Sequence, residues 1–198
     1  MDIKGGKILK ELDKIILDAA KHKKTAKGLE IEILKLALRL EELADLHYST
    51  LAGKVSNKSA RSVFTYLATD EKAQIKSLKV HLEAIKKGGK WLGEFGNPKK
   101  GACPIIAPAS VKRKVRNADA TKISVDATDL DALKLAIEIK KRAVEFYCTA
   151  SSKIADKEGK RLFAYLAGME AGHLTELEVQ SAWLEQAGFW WEPDMMMD

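Results

Sequence analysis

The chain has 198 residues, 46% of them hydrophobic and 31% charged, and a formal charge of +6. That composition suits one globular, soluble domain with room for an appended element. It holds no apolar run of about 18 residues, which argues against a transmembrane helix, and the N-terminus lacks the apolar core of a signal peptide. The lysines are spread along helical faces, with modest clusters at 21–27 and 112–116. No basic run is interleaved with aromatics, so the pI near 9.1 reads as solvated helix faces rather than a nucleic-acid site. Cys103 and Cys148 show no metal or redox spacing, nothing asks for a disulfide, and a reducing, cytoplasmic setting is expected.

Ile8, Leu9, Leu12, Ile15, Ile16 and Ala19 form a helical stripe within residues 1–28, an amphipathic N-terminal extension that the Lys-rich stretch to Gly28 ends. A long helix is predicted over 29–55 and a second over 58–87, stopped by Gly88-Gly89. Residues 97–127 carry Pro98, Pro104 and Pro108 with no sustained period, and read as a long crossover. A third helix is predicted from near Asp129, with Thr128 or Asp129 as N-cap, to about 155. A fourth covers 157–186 and stops at Gly188. Trp91, Trp190 and Trp191 follow the glycine stops and are expected to cap a bundle end or a dimer contact.

The chain repeats itself. Residues 37–91 align without a gap on 136–190, with 15 identities in 55 positions, enough to make each copy the same structural unit. Each copy is a helical hairpin, 29–96 and 128–191. An isolated hairpin cannot bury its own apolar stripe, but two facing hairpins can. An all-α four-helix bundle with one long crossover follows, which is the ferritin-like topology.

Helical spacing puts Ala37, Glu41, Ala44 and Tyr48 on one face, and Leu67, Glu71, Gln74 and Leu78 on another. The second copy matches them with Ala136, Lys140, Ala143 and Tyr147, and with Leu166, Glu170, His173 and Leu177. Three carboxylates on apolar faces need compensating charge. The copies differ at two of these positions, where Glu41 matches Lys140 and Gln74 matches His173.

The Ala-x-x-x-Glu-x-x-Ala-x-x-x-Tyr frame and the Leu-Ala-x-x-Glu-x-x-His frame resemble the rubrerythrin branch of the ferritin-like, di-iron carboxylate superfamily. The resemblance covers 37–91 and 128–191. It implies that Glu41 is a terminal carboxylate, that Glu71 and Glu170 bridge, and that His173 is the imidazole ligand, with Gln74 a tentative donor. Lys140 occupies a lost ligand position, and the rubredoxin module of full rubrerythrins is absent. Iron or manganese suits such a carboxylate and imidazole set. If active, the protein would be an oxidoreductase acting on peroxide or dioxygen, with an unidentified redox partner, and the family leads one to expect a homodimer.

Four glutamates and two neutral histidines carry −4, which two divalent cations balance. Three glutamates and Lys140 carry −2, which one cation balances. Three outcomes stay open: one metal ion, none, or two held by substitute ligands, of which Asp45 has the best spacing although it reads as a solvated helix residue. The competing function is a non-catalytic bundle or partner-binding scaffold whose carboxylates Lys140 neutralises, with the N-terminal helix and basic crossover as its contact surfaces. Tyr48 and Tyr147 are expected to be core aromatics whose hydroxyls bond a neighbouring carboxylate. His47 reads as packing, His22 and His81 as surface residues, and Cys148 as a small core residue.

Overall fold

The computed structural model describes residues 26–93, 127–188 and Trp190. It consists of α1 (Ala26–Lys54), α2 (Lys58–Gly88), α3 (Ala127–Lys153) and α4 (Lys157–Ala187), with no strand among the described residues. The architecture is an all-α four-helix bundle. The helical extension expected within 1–28, the crossover expected over 97–127 apart from the start of α3, and Trp191 lie outside the described residues.

Both hairpins are built by the same local devices. Asn57 caps α2 by accepting from the Ser59 and Ala60 amides at 2.8 and 3.1 Å. Asp156, its counterpart 99 residues on, caps α4 by accepting from Glu158 and Gly159 at the same distances. At the other ends Gly89 and Gly188 adopt φ of 67° and 75°, and their amides donate to Ile85 and Leu184. Only glycine takes that left-handed conformation without steric strain. The repeat therefore fixes both turns and both stops. The third helix begins differently from expectation. Thr128 and Asp129 lie inside α3 rather than capping it, and the buried Asp129 accepts instead from the Trp190 indole at 3.2 Å.

α1 packs along α2, α3 packs along α4, and α1 faces α3 across the bundle. All sixteen residues of the four inward faces are buried. Tryptophans close the core by exchange. Trp91, at the end of the first hairpin, meets Phe163 of the second edge-on at 6.0 Å, and Trp190 of the second meets Phe64 of the first at 6.1 Å. Trp91 also lies so close over Gly159 that a Cβ there would come within 2.6 Å of its ring.

Two further expectations are corrected. His81 is buried, not a surface residue, with its ring 6.1 Å from that of Trp91. The helical stripe of α2 is wider than the apolar pattern indicated because Trp91 folds back over it. Cys148 is half-buried and packed on the core as expected, but it is not a free thiol. The chain's other cysteine, Cys103, lies outside the described residues. His47 packs in the core beside Tyr48, as read from the sequence.

Candidate metal centre

Glu41 on α1, Glu71 and Gln74 on α2, Lys140 on α3 and Glu170 and His173 on α4 converge at mid-bundle, all of them buried. Each helix contributes at least one of them because each carries its polar group at the same level of the repeat. The structure thus brings together every residue that the sequence singled out for this face. Asp45 is elsewhere: it is partly exposed, accepts from Ser49 at 3.0 Å and lies 3.6 Å from the Lys72 ammonium.

Lys140 sits at the centre. Its ammonium donates to Glu71 Oε1 and, at 2.7 Å, to Glu170 Oε2, with none of the three side chains exposed. The Nζ also lies 5.4 Å from the centroid of the Tyr48 ring, a cation–π contact. Burial opposes the charge on Lys140, but the Glu170 and Glu71 carboxylates outweigh it and hold the pKa well above its ordinary value. The same pair sets Glu170 in the opposite sense. Burial pushes its carboxyl up, yet Lys140 and His173 together bring it down to about 2. Gln74 fixes the other oxygen, donating from Nε2 to Glu170 Oε1 at 2.9 Å.

Glu41 behaves differently. Burial first, and then the charges of Glu71 and Glu170, raise its pKa well above the ordinary carboxylate value, which favours its protonated form. Its Oε1 accepts from the Tyr147 hydroxyl. Its protonated Oε2 is then available to donate to Glu71, whose Oε2 has no other partner. The expectation for the tyrosines holds at Tyr147 alone, since the buried Tyr48 hydroxyl makes no hydrogen bond.

Sequence reasoning passed over two residues. Asp70 Oδ2 lies 2.9 Å from His173 Nε2, and the Tyr66 ring meets the imidazole edge-on at 5.9 Å. Both belong to α2, one turn apart, while His173 belongs to α4. Neither lies on the inward face of its own helix, so only the packing of α2 against α4 reveals them.

A cation fits this site. Donor atoms of Glu71, Glu170 and His173 lie within 4.8 Å of one another. Gln74 Oε1, Glu41 Oε2 and Glu71 Oε2 are buried oxygens with no hydrogen-bond partner beyond the one that a proton on Glu41 would supply between the last two, the kind of atoms that a bound cation satisfies. If Glu41 gives up its proton, three carboxylates, Lys140 and one divalent cation sum to zero charge.

The fold and this cluster define a class: ferritin-like four-helix bundles with carboxylates and imidazole facing a common centre. Residues 29–181 match the family model described as a ferritin-like domain, and the chain belongs to that family. A solved structure similar to it is a hypothetical protein from Pyrococcus furiosus, 26% identical, with a TM-score of 0.56, covering 79% of this chain and 90% of that one. No curated protein matches the chain. Among the described residues no helix is long and apolar enough to cross a membrane.

Proposed function

We propose that this chain is a rubrerythrin-like metal-binding protein with an asymmetric centre for one iron or manganese ion. Glu71, Glu170 and His173 would hold the ion, with Glu41 or Gln74 completing the set. The single observation that carries the reading is the approach of those three donor groups, from two helices of different hairpins, to within 4.8 Å. Iron bound there would supply redox chemistry toward peroxide or dioxygen.

The chain's own residues have definable tasks. Lys140 takes the place of the second cation and holds Glu71 and Glu170 in position. Glu41, whose protonated form burial favours, would become a ligand on losing that proton, and Tyr147 orients its carboxyl by donating to it. Fully buried Tyr48 lies against Lys140, and fully buried Phe146 and Phe163 pack on Tyr147, so the cluster's aromatic neighbours keep that side of it dry. A homodimer and a separate electron donor complete the proposal.

Elemental analysis of protein purified without chelators tests it, alongside the double variant Lys140→Glu, Gln74→His. One equivalent of iron or manganese in the native protein and two in the variant are expected. Near-zero metal in the native protein overturns the reading and leaves a bundle whose carboxylates are neutralised by Lys140.

A further inference from the structure

The repeat gives the bundle two matching files of aromatic rings, each running from a closing tryptophan to the centre. Trp91 packs edge-on against Phe163 at 6.0 Å, and Phe163 packs on Tyr147 at 5.9 Å. Their counterparts 99 residues away form the second file, in which Trp190 meets Phe64 at 6.1 Å and Phe64 meets Tyr48 at 6.5 Å. All six rings are buried. The files differ where they touch the cluster. The Tyr147 hydroxyl donates to Glu41. The Tyr48 hydroxyl bonds nothing, and the Lys140 ammonium lies 5.4 Å from the centroid of its ring.

We propose that Tyr147, Phe163 and Trp91 carry an oxidising equivalent from the centre to the end of the bundle, and that Lys140 closes the matching file at Tyr48. This rests on the reading of one ion acting on peroxide and extends it to the source of the second electron. Reduction of peroxide to two waters takes two electrons and two protons, and a centre with one ion is one electron short. In the proposed step the Trp91 ring gives up that electron. Each peroxide turned into two waters then takes one electron from the centre, one from Trp91 and two protons from solvent, and leaves the indole as a radical cation. An electron donor refills it at the bundle end, where Trp91 is the most exposed of the six rings at 8%. Two features of the chain select this file. Removing an electron leaves positive charge on a ring, and an ammonium over the face of that ring in a buried site opposes the charge strongly. Tyr48 faces such an ammonium. A phenol also gives up an electron more readily when its hydroxyl is hydrogen-bonded to an acceptor, as that of Tyr147 is and that of Tyr48 is not. Trp190 is itself no poorer a donor than Trp91, since its indole donates to Asp129 at 3.2 Å, so the break in the second file lies at Tyr48.

Two measurements test the route, and the first needs no metal. Azide radicals generated by pulse radiolysis oxidise tryptophan in metal-free protein, and transfer to tyrosine is read as tryptophanyl absorption decaying into tyrosyl absorption. A fast phase independent of protein concentration is expected in the native chain. It should be lost in Trp91→Phe and in Tyr147→Phe and kept in Trp190→Phe and in Tyr48→Phe. All four variants keep an aromatic ring in place, so the core stays filled. A phase untouched by Trp91→Phe and Tyr147→Phe, or lost equally in the other two variants, overturns the inference. The second measurement treats iron-loaded protein with hydrogen peroxide in the absence of a reductant and maps the oxygen added to each tryptophan by peptide mass spectrometry. Oxidation at Trp91 is expected to exceed that at Trp190 severalfold. Equal oxidation of the two sinks the route and leaves the metal reading standing. A native protein that takes up no iron, with the fast phase present as expected, sinks the metal reading and leaves Tyr147 and Trp91 as a connected pair.

Discussion

Lys140 and Glu170, on facing helices of one hairpin, form an ion pair of 2.7 Å with neither side chain exposed to solvent. A buried pair of this kind adds little compared with a well-packed apolar pair, but breaking it from one side strands a charge. Lys140→Met would leave Glu71 and Glu170 without their cation. The expected loss is about 3–5 kcal/mol at neutral pH in metal-free protein, measured by urea unfolding. Glu170's pKa is lowered to about 2, so its contribution is complete above the ordinary value of 4.5 and is lost as pH falls toward 2. The gap between native and variant should therefore narrow over that range. A gap that stays constant with pH would mean that Lys140 acts through packing alone.

Tyr48 and Tyr147, matched in the repeat, should respond differently to loss of their hydroxyls. Tyr147→Phe removes the donor to buried Glu41 and should destabilise by about 1–3 kcal/mol. Tyr48→Phe removes a hydroxyl that bonds nothing and should be neutral or slightly stabilising. Thermal unfolding of the two variants in parallel distinguishes them, and equal losses would contradict the assignment.

His47 is buried with neither ring nitrogen hydrogen-bonded, and the matching position of the second copy holds fully buried Phe146. His47→Phe should stabilise the protein by about 1 kcal/mol at neutral pH. Burial, and then the charge of Lys54, lower the His47 pKa from 6.5 to about 4. The folded ring therefore resists a proton that the unfolded chain accepts. Stability linked to it is complete above 6.5 and is lost as pH falls toward 4. Native protein should lose more of its melting temperature across that window than His47→Phe, and identical pH profiles would count against this role.

Glycines of α4 offer a contrast in sign. A Cβ at Gly159 would lie 2.6 Å from the Trp91 ring and 2.7 Å from an Ile154 methyl, so Gly159→Ala should destabilise by about 1–3 kcal/mol. Gly168, exposed with open space at its Cβ position, should instead gain up to about 1 kcal/mol as alanine through helix propensity. Near-ultraviolet circular dichroism should register the displaced tryptophan in the first variant only.

The sequence by itself determined the helices, the glycine stops and the inward faces, because these depend on spacing and on local chemistry, whereas the N-cap expected at Thr128 or Asp129 failed because both lie inside α3 and Asp129 binds Trp190. Asn57, Asp156, Gly89 and Gly188 act within a few residues of their own positions. The repeat then set two such hairpins face to face. It also identified Glu41, Glu71, Lys140, Glu170 and His173, since their positions match between copies and buried charge must be matched by charge. The partners across the bundle were decided only in three dimensions. Which oxygen Lys140 binds, which tryptophan crosses to which phenylalanine, and that Asp70 reaches His173 all depend on how α2 lies against α4 and how the hairpins interlock. His81 was misread for the same reason, as its burial comes from Trp91 folding back over it. Helical period says which way a side chain leaves its own helix. Packing between helices decides what it meets there.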